Sequence, residues 1–286
     1  MKNLDLKIEQ KINEYIERYS YCSLNEKMAS NEKITTKQAK ELFKNEDLRD
    51  KILANQGLKK DFIKELYKTK KYNEEIAKLK NTPVDILMKL LKDRDEKVVK
   101  NVLNNPNTPK EVFYELFETS NNSIKYYILI SPYCPFDLLI NDIEAPEEES
   151  ILSKRYSDEY LASNHNTPKD IFFDLDIHYE IMKVLVCNPK TPKEILDSFI
   201  NHIDDYLLYR MLESGAHYDY LKNIVLNNKA SRILKIEMAE YKNITQDVLD
   251  FFIKELEDEI LHKLLLNDYI KMKDKIKIYK SRYLKI

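Results

Sequence analysis

Residues 105–113 read Asn105-Pro106-Asn107-Thr108-Pro109-Lys110-Glu111-Val112-Phe113, and residues 188–196 read Asn188-Pro189-Lys190-Thr191-Pro192-Lys193-Glu194-Ile195-Leu196. The same spelling, Thr-Pro-x-Asp/Glu followed by two apolar residues, opens at Thr82 and Thr167. Each copy predicts a helix start. Threonine is expected to cap the first free amides, proline to occupy the first helical position, where its missing N–H is harmless, and the acid to complete a capping box. Apolar residues then follow at i, i+1, i+4, i+5: Ile86, Leu87, Leu90 and Leu91 after Thr82; Val112, Phe113, Leu116 and Phe117 after Thr108; Ile195, Leu196, Phe199 and Ile200 after Thr191. That spacing marks one face of a helix, here called helix A.

A second amphipathic stretch follows each A helix after a short polar turn. Val98, Val99, Val102 and Leu103 form one copy, and Leu207, Leu208, Met211 and Leu212 another. This helix B tends to end in Asn-Pro, because proline cannot continue a helix and asparagine tolerates the cap geometry. Weaker copies begin near residues 58, 134, 216 and 244. Together they predict an all-α chain, a right-handed α-solenoid of about eight helix pairs of roughly 25 residues each. The expected divisions are an N-terminal cap and divergent first unit over 1–54, repeats over 55–268, and a C-terminal capping segment over 269–286. Thr35 and Gln38 have capping-box spacing and open a divergent unit before the repeats.

The motif Asn-Pro-x-Thr-Pro-x-Glu resembles the variant leucine-rich repeat, an α-solenoid family of HEAT-like type. The resemblance covers about residues 55–265 and implies a fold more than a function. One branch of that family holds an iron–sulfur cluster on N-terminal cysteines. This chain has only Cys22 in that region, so no cluster or other cofactor is expected.

Composition narrows the function further. Glycine occurs only twice in 286 residues. That disfavours phosphate-cradling loops and the nucleophile elbow, which need glycine for close backbone approach. The formal net charge of −2 does not fit a generally basic nucleic-acid binder. Three dispersed cysteines, Cys22, Cys134 and Cys187, fit a reducing cytoplasm better than a disulfide framework. No signal-type segment or membrane span is evident. The richness in Lys, Asn, Ile and Tyr points to an AT-rich bacterial genome or one of its mobile elements.

The five histidines lack the i, i+4 spacing of a helical zinc site, so no metal is expected. Cys187 reads as a small core residue. The acids Asp93, Asp95 and Glu96 flank Arg94 and Lys97 as a solvated charge network, so no catalytic residue is assigned. No small-molecule substrate is evident.

Partner-binding candidates remain. In the repeat frame Lys100, Tyr126, Lys183 and Tyr209 share one column of helix B, with Arg210 adjacent and Glu159 interrupting it. Such a stripe grips peptide or stacks bases, or merely shields the core. An insertion near 141–150 carries Asp142, Glu144, Glu147, Glu148 and Glu149, and reads as a solvated loop or as a finger for a basic partner. Residues 271–286 carry a net charge of +6, including Lys273, Lys275, Lys277, Lys280 and Arg282. They read as a capping helix with Ile276, Tyr279 and Tyr283 inward, or as a phosphate-contacting patch. Leu4, Ile8, Ile12, Tyr15, Ile16 and Tyr19 outline an N-terminal amphipathic helix expected to cap the first repeat. The expected function is a non-catalytic scaffold or inhibitor that binds a protein or nucleoprotein, with defence or counter-defence as its setting. The alternative is a nucleic-acid binder using the Lys/Tyr stripe and the basic C-terminus.

Overall fold

The computed structural model describes residues 2–19, 24–93, 95–200, 203–227 and 229–284. Cys22, Arg94 and His202 lie outside the described residues. Among the described residues the chain is all-helical and contains no strand. It divides into two compact units, one of residues 24–198 and one of residues 1–23 with 199–286.

The 24–198 unit carries α2 (Leu24–Ser30), α3 (Thr36–Phe43), α4 (Glu46–Ala54), α5 (Lys60–Lys68), α6 (Asn73–Lys78), α7 (Val84–Leu90), α8 (Glu96–Leu103), α9 (Lys110–Thr119), α10 (Asn122–Leu129), α11 (Phe136–Glu144), α12 (Ser157–Ser163), α13 (Tyr179–Leu185) and most of α14 (Lys193–Phe199). The unit of the chain ends contains α1 (Lys2–Tyr19), α15 (Asp205–Ser214), α16 (Tyr218–Leu226), α17 (Arg232–Glu240), α18 (Gln246–Glu255), α19 (Asp258–Leu266) and α20 (Met272–Tyr279).

The apolar offsets read from the sequence are the buried ones. Ile86, Leu87 and Leu90 of α7 are buried, as are Val98, Val99, Val102 and Leu103 of α8 and Leu207, Leu208, Met211 and Leu212 of α15. At α9 the pattern weakens, and Leu116 and Phe117 are only partly covered. After Thr167 the A position shortens to a 3₁₀ turn, Asp170–Phe173, in which Phe172 is buried and Phe173 exposed.

The helix starts differ from the expected capping boxes. Pro83 and Pro109 are themselves the N-caps, with ψ of 143° in both, and neither helix has a side-chain cap. The preceding threonines face backward instead. Thr82 Oγ1 donates to the Ile76 carbonyl at 2.6 Å, Thr167 Oγ1 to Leu161 at 2.7 Å, and Thr191 Oγ1 to Leu185 at 2.8 Å. Thr108 Oγ1 makes the same bond to Val102. The extended proline carries the threonine away from its own helix and against the open carbonyls ending the preceding one. A capping box does form at Thr35 and Gln38, where no proline intervenes.

Buried asparagines join successive segments. Asn105 Nδ2 donates to the carbonyls of Ala77 and Leu79 at 2.7 and 2.9 Å, while its Oδ1 accepts from the Asn107 amide at 3.0 Å. Asn188 bonds Ala162, Asn164 and the Lys190 amide in the same way. Asn55 and Asn267 repeat the pattern. Ser131 is a shorter substitute, donating to the Leu103 carbonyl and accepting from Tyr133. Each such side chain satisfies backbone groups that burial would otherwise leave unpaired.

Helix α1 packs against α19 and α20 within its own unit. Ile8 and Ile12 are its buried residues, whereas Leu4 and Tyr19 are exposed. Polar contacts frame the apolar seat. Lys280 pairs with Asp5 at 2.7 Å, Tyr15 hydrogen-bonds His262, and Arg282 donates to the Tyr15 hydroxyl at 3.2 Å. A cap must match the apolar surface it covers, and periodicity alone does not say which end of the chain supplies that surface.

Candidate partner-binding face

The B helices α8 and α10 are neighbours in the 24–198 unit. Asp95 and Asn121 cap them by accepting from backbone amides of their first turns. Their buried stripes fix which residues face outward. Lys100 projects from α8, and its ammonium lies 5.4 Å from the centre of the Tyr127 ring on α10. The Tyr126 and Tyr127 rings are 6.1 Å apart. Tyr126 is 40% exposed and Tyr156, at the start of α12, 46% exposed. The Arg155 guanidinium lies 5.6 Å from the Tyr156 ring. Burial, the neighbouring Tyr126 and Glu159 all push the Tyr160 phenol above its ordinary range. These residues therefore form one aromatic and cationic patch across α8, α10 and α12.

Two candidates from the sequence, Lys100 and Tyr126, meet here through Tyr127. Tyr156 and Tyr160 were missed. Their signal was an i, i+4 tyrosine pair, but the insertion before them obscured the register. Lys183, on α13, pairs with Glu180 of its own helix and lies 5.8 Å from the Tyr179 ring. Tyr209 and Arg210 belong to the other unit, on α15. There Arg210 donates to the Tyr206 hydroxyl at 3.3 Å. Tyr209 sits beside Glu213, whose charge raises its phenol pKa, together with partial burial and Glu237.

The acidic insertion is anchored at its first acid. Asp142 is buried and accepts from the amides of Ile151 and Leu152 and from Ser150 Oγ, at 2.9–3.0 Å. It is a brace closing the loop, while Glu144, Glu147, Glu148 and Glu149 are exposed.

Several of the basic C-terminal residues are buried or held in ion pairs. Lys275 is buried, Lys277 lies 3.4 Å from Asp274, Lys280 holds Asp5, and Arg282 lies 3.2 Å from Asp258. Lys273 is exposed. Ile278 is the fully buried apolar residue of α20, the expected Ile276 and Tyr279 are partly buried, and the expected Tyr283 is not inward. Tyr283 is exposed and packs its ring on Tyr279 at 4.6 Å.

Cys134 is buried, and desolvation, with Asp137 and Asp142 nearby, raises its thiol to about 12, which keeps it protonated. Among the described residues no group of His, Cys, Asp and Glu side chains is arranged to hold a metal ion, and no helix is long and apolar enough to cross a membrane. Comparison of the chain with protein-family models, with curated proteins and with solved structures finds no match.

Proposed function

We propose that the chain is an α-solenoid of about eight helix pairs, of the variant leucine-rich, HEAT-like kind, and that it acts without catalysis as a scaffold or inhibitor for a protein partner. The recurrent asparagine and threonine bonds, each reaching back to the preceding segment, support the repeat reading. The observation that carries the binding reading is the Lys100–Tyr126–Tyr127–Tyr156–Tyr160 patch. Tyrosine and arginine are enriched in protein interfaces because they bury much area at small entropic cost. Glu159, close enough to act on Tyr160, gives the patch mixed charge, which suits protein more than phosphate. A reducing cytoplasm and a role in bacterial or phage defence or counter-defence complete the proposal.

The test is a pull-down with the wild-type chain and a Tyr126→Ala/Tyr156→Ala variant of unchanged thermal stability. The expected result is a reproducible protein partner that the variant loses. A second reading, nucleic-acid binding, draws on the cations lying over tyrosine rings. It gains if no protein is retained while an oligonucleotide binds tightly, with affinity falling steeply between low and moderate salt.

A further inference from the structure

Within the unit of the chain ends, α15, α17 and α19 lie side by side. Their outward face differs in chemistry from the tyrosine patch described above. It exposes large apolar and aromatic surface: Tyr206 is 50% exposed, Tyr209 49% and Ile233 40%. Carboxylates from two helices border this surface, Asp205 and Glu213 on α15, Glu237 and Glu240 on α17.

The cations nearby are already engaged. Lys263 pairs with Glu240 at 2.6 Å, Arg232 pairs with Glu259 at 2.5 Å, and Arg210 bonds Tyr206. Glu213 and Glu237 have no ion-pair partner among the described residues. The surroundings of Glu237 make its charge costly to keep. Burial, Glu240 and Asp205 raise the pKa of Glu237, with Lys263 opposing. Unpaired like charges beside exposed aromatic surface lower stability, and such arrangements persist where binding uses them.

We infer that this α15–α17 face docks a cationic amphipathic protein segment, whose apolar side covers Tyr206, Tyr209 and Ile233 and whose Lys or Arg side chains pair with Glu213 and Glu237. The inference rests on the scaffold reading and names the chemistry of one partner surface. The carboxylates commit the face to a cation: a nucleic acid would meet repulsion here, and a neutral peptide would leave the charges uncompensated.

The test uses the full chain and a fluorescein-labelled amphipathic helical peptide of Leu, Lys and Arg, read by anisotropy. A counterpart carries Glu at every basic position. The wild type is expected to bind the basic peptide at least tenfold more tightly than the acidic one. Glu213→Gln/Glu237→Gln, nearly isosteric, is expected to weaken basic-peptide binding at least tenfold with no loss of Tm. Glu147→Gln/Glu149→Gln, in the acidic insertion, is expected to leave it unchanged. Equal binding of both peptides, or a loss in the insertion variant and not in the Glu213/Glu237 variant, overturns the inference. Should the peptide results fail while a partner is still lost on Tyr126→Ala/Tyr156→Ala, only this inference falls. Should the wild type retain no partner at all, the scaffold reading falls with it.

Discussion

Gly57 lies against the backbone of Glu32. A Cβ on it would stand 1.9 Å from the Glu32 carbonyl oxygen and 2.4 Å from the carbonyl carbon, contacts that only backbone movement relieves. The amide of Gly57 is also held by Asn55 Oδ1 at 2.8 Å, so the turn has little freedom to shift. Gly57→Ala should therefore lower unfolding stability by about 3 kcal/mol, read as a lower urea midpoint. Gly215 has a different reason to be glycine, a left-handed φ of 67° after α15. Lys70 and Leu256 hold the same conformation with side chains, so Gly215→Ala should cost only about 1 kcal/mol. Equal losses at the two positions would contradict the close-approach argument. Composition showed that glycine was scarce. It did not show that one of the two marks a backbone contact 25 residues back, because that contact exists only once segments are stacked.

Helix positions and buried faces were legible because an apolar stripe of period 3.6 is local information. The junctions were legible only in part. Threonine before proline carries a helix-start signal, yet its hydroxyl serves the previous helix. Asparagine before proline carries a stop signal, yet its amide reaches 24–28 residues back. Local spelling fixes where these residues stand, and long-range geometry fixes what they bond. Asn188→Ala should leave the Ala162 and Asn164 carbonyls and the Lys190 amide without this partner, at a cost of about 3 kcal/mol. Asn188→Ser should recover about half of the loss, since Ser131 shows that a hydroxyl can donate backward and accept from the amide two residues ahead. Urea midpoints of the two variants check the order. If serine were no better than alanine, the bonds would not be the source of the stability.

At the scale of the molecule, the unit formed by the chain ends tests what kind of stability the protein has. The seat of α1 was unreadable because an amphipathic helix advertises a face without naming its partner. Ile12, fully buried on α1, is the residue through which the question can be asked. Ile12→Ala should cost about 3 kcal/mol by leaving a cavity where α1 meets α19 and α20. In a stack of repeats, stability is a sum of each unit's own term and its neighbour contacts, so a lesion weakens nearest neighbours first. Amide hydrogen exchange should then show lost protection in α1, α19 and α20, with amides between residues 24 and 198 keeping theirs. A single cooperative core would behave otherwise, because every amide that exchanges by global unfolding would lose the same protection. Uniform loss across both units would therefore count against the repeat-stack reading, even though the helices themselves would remain as described.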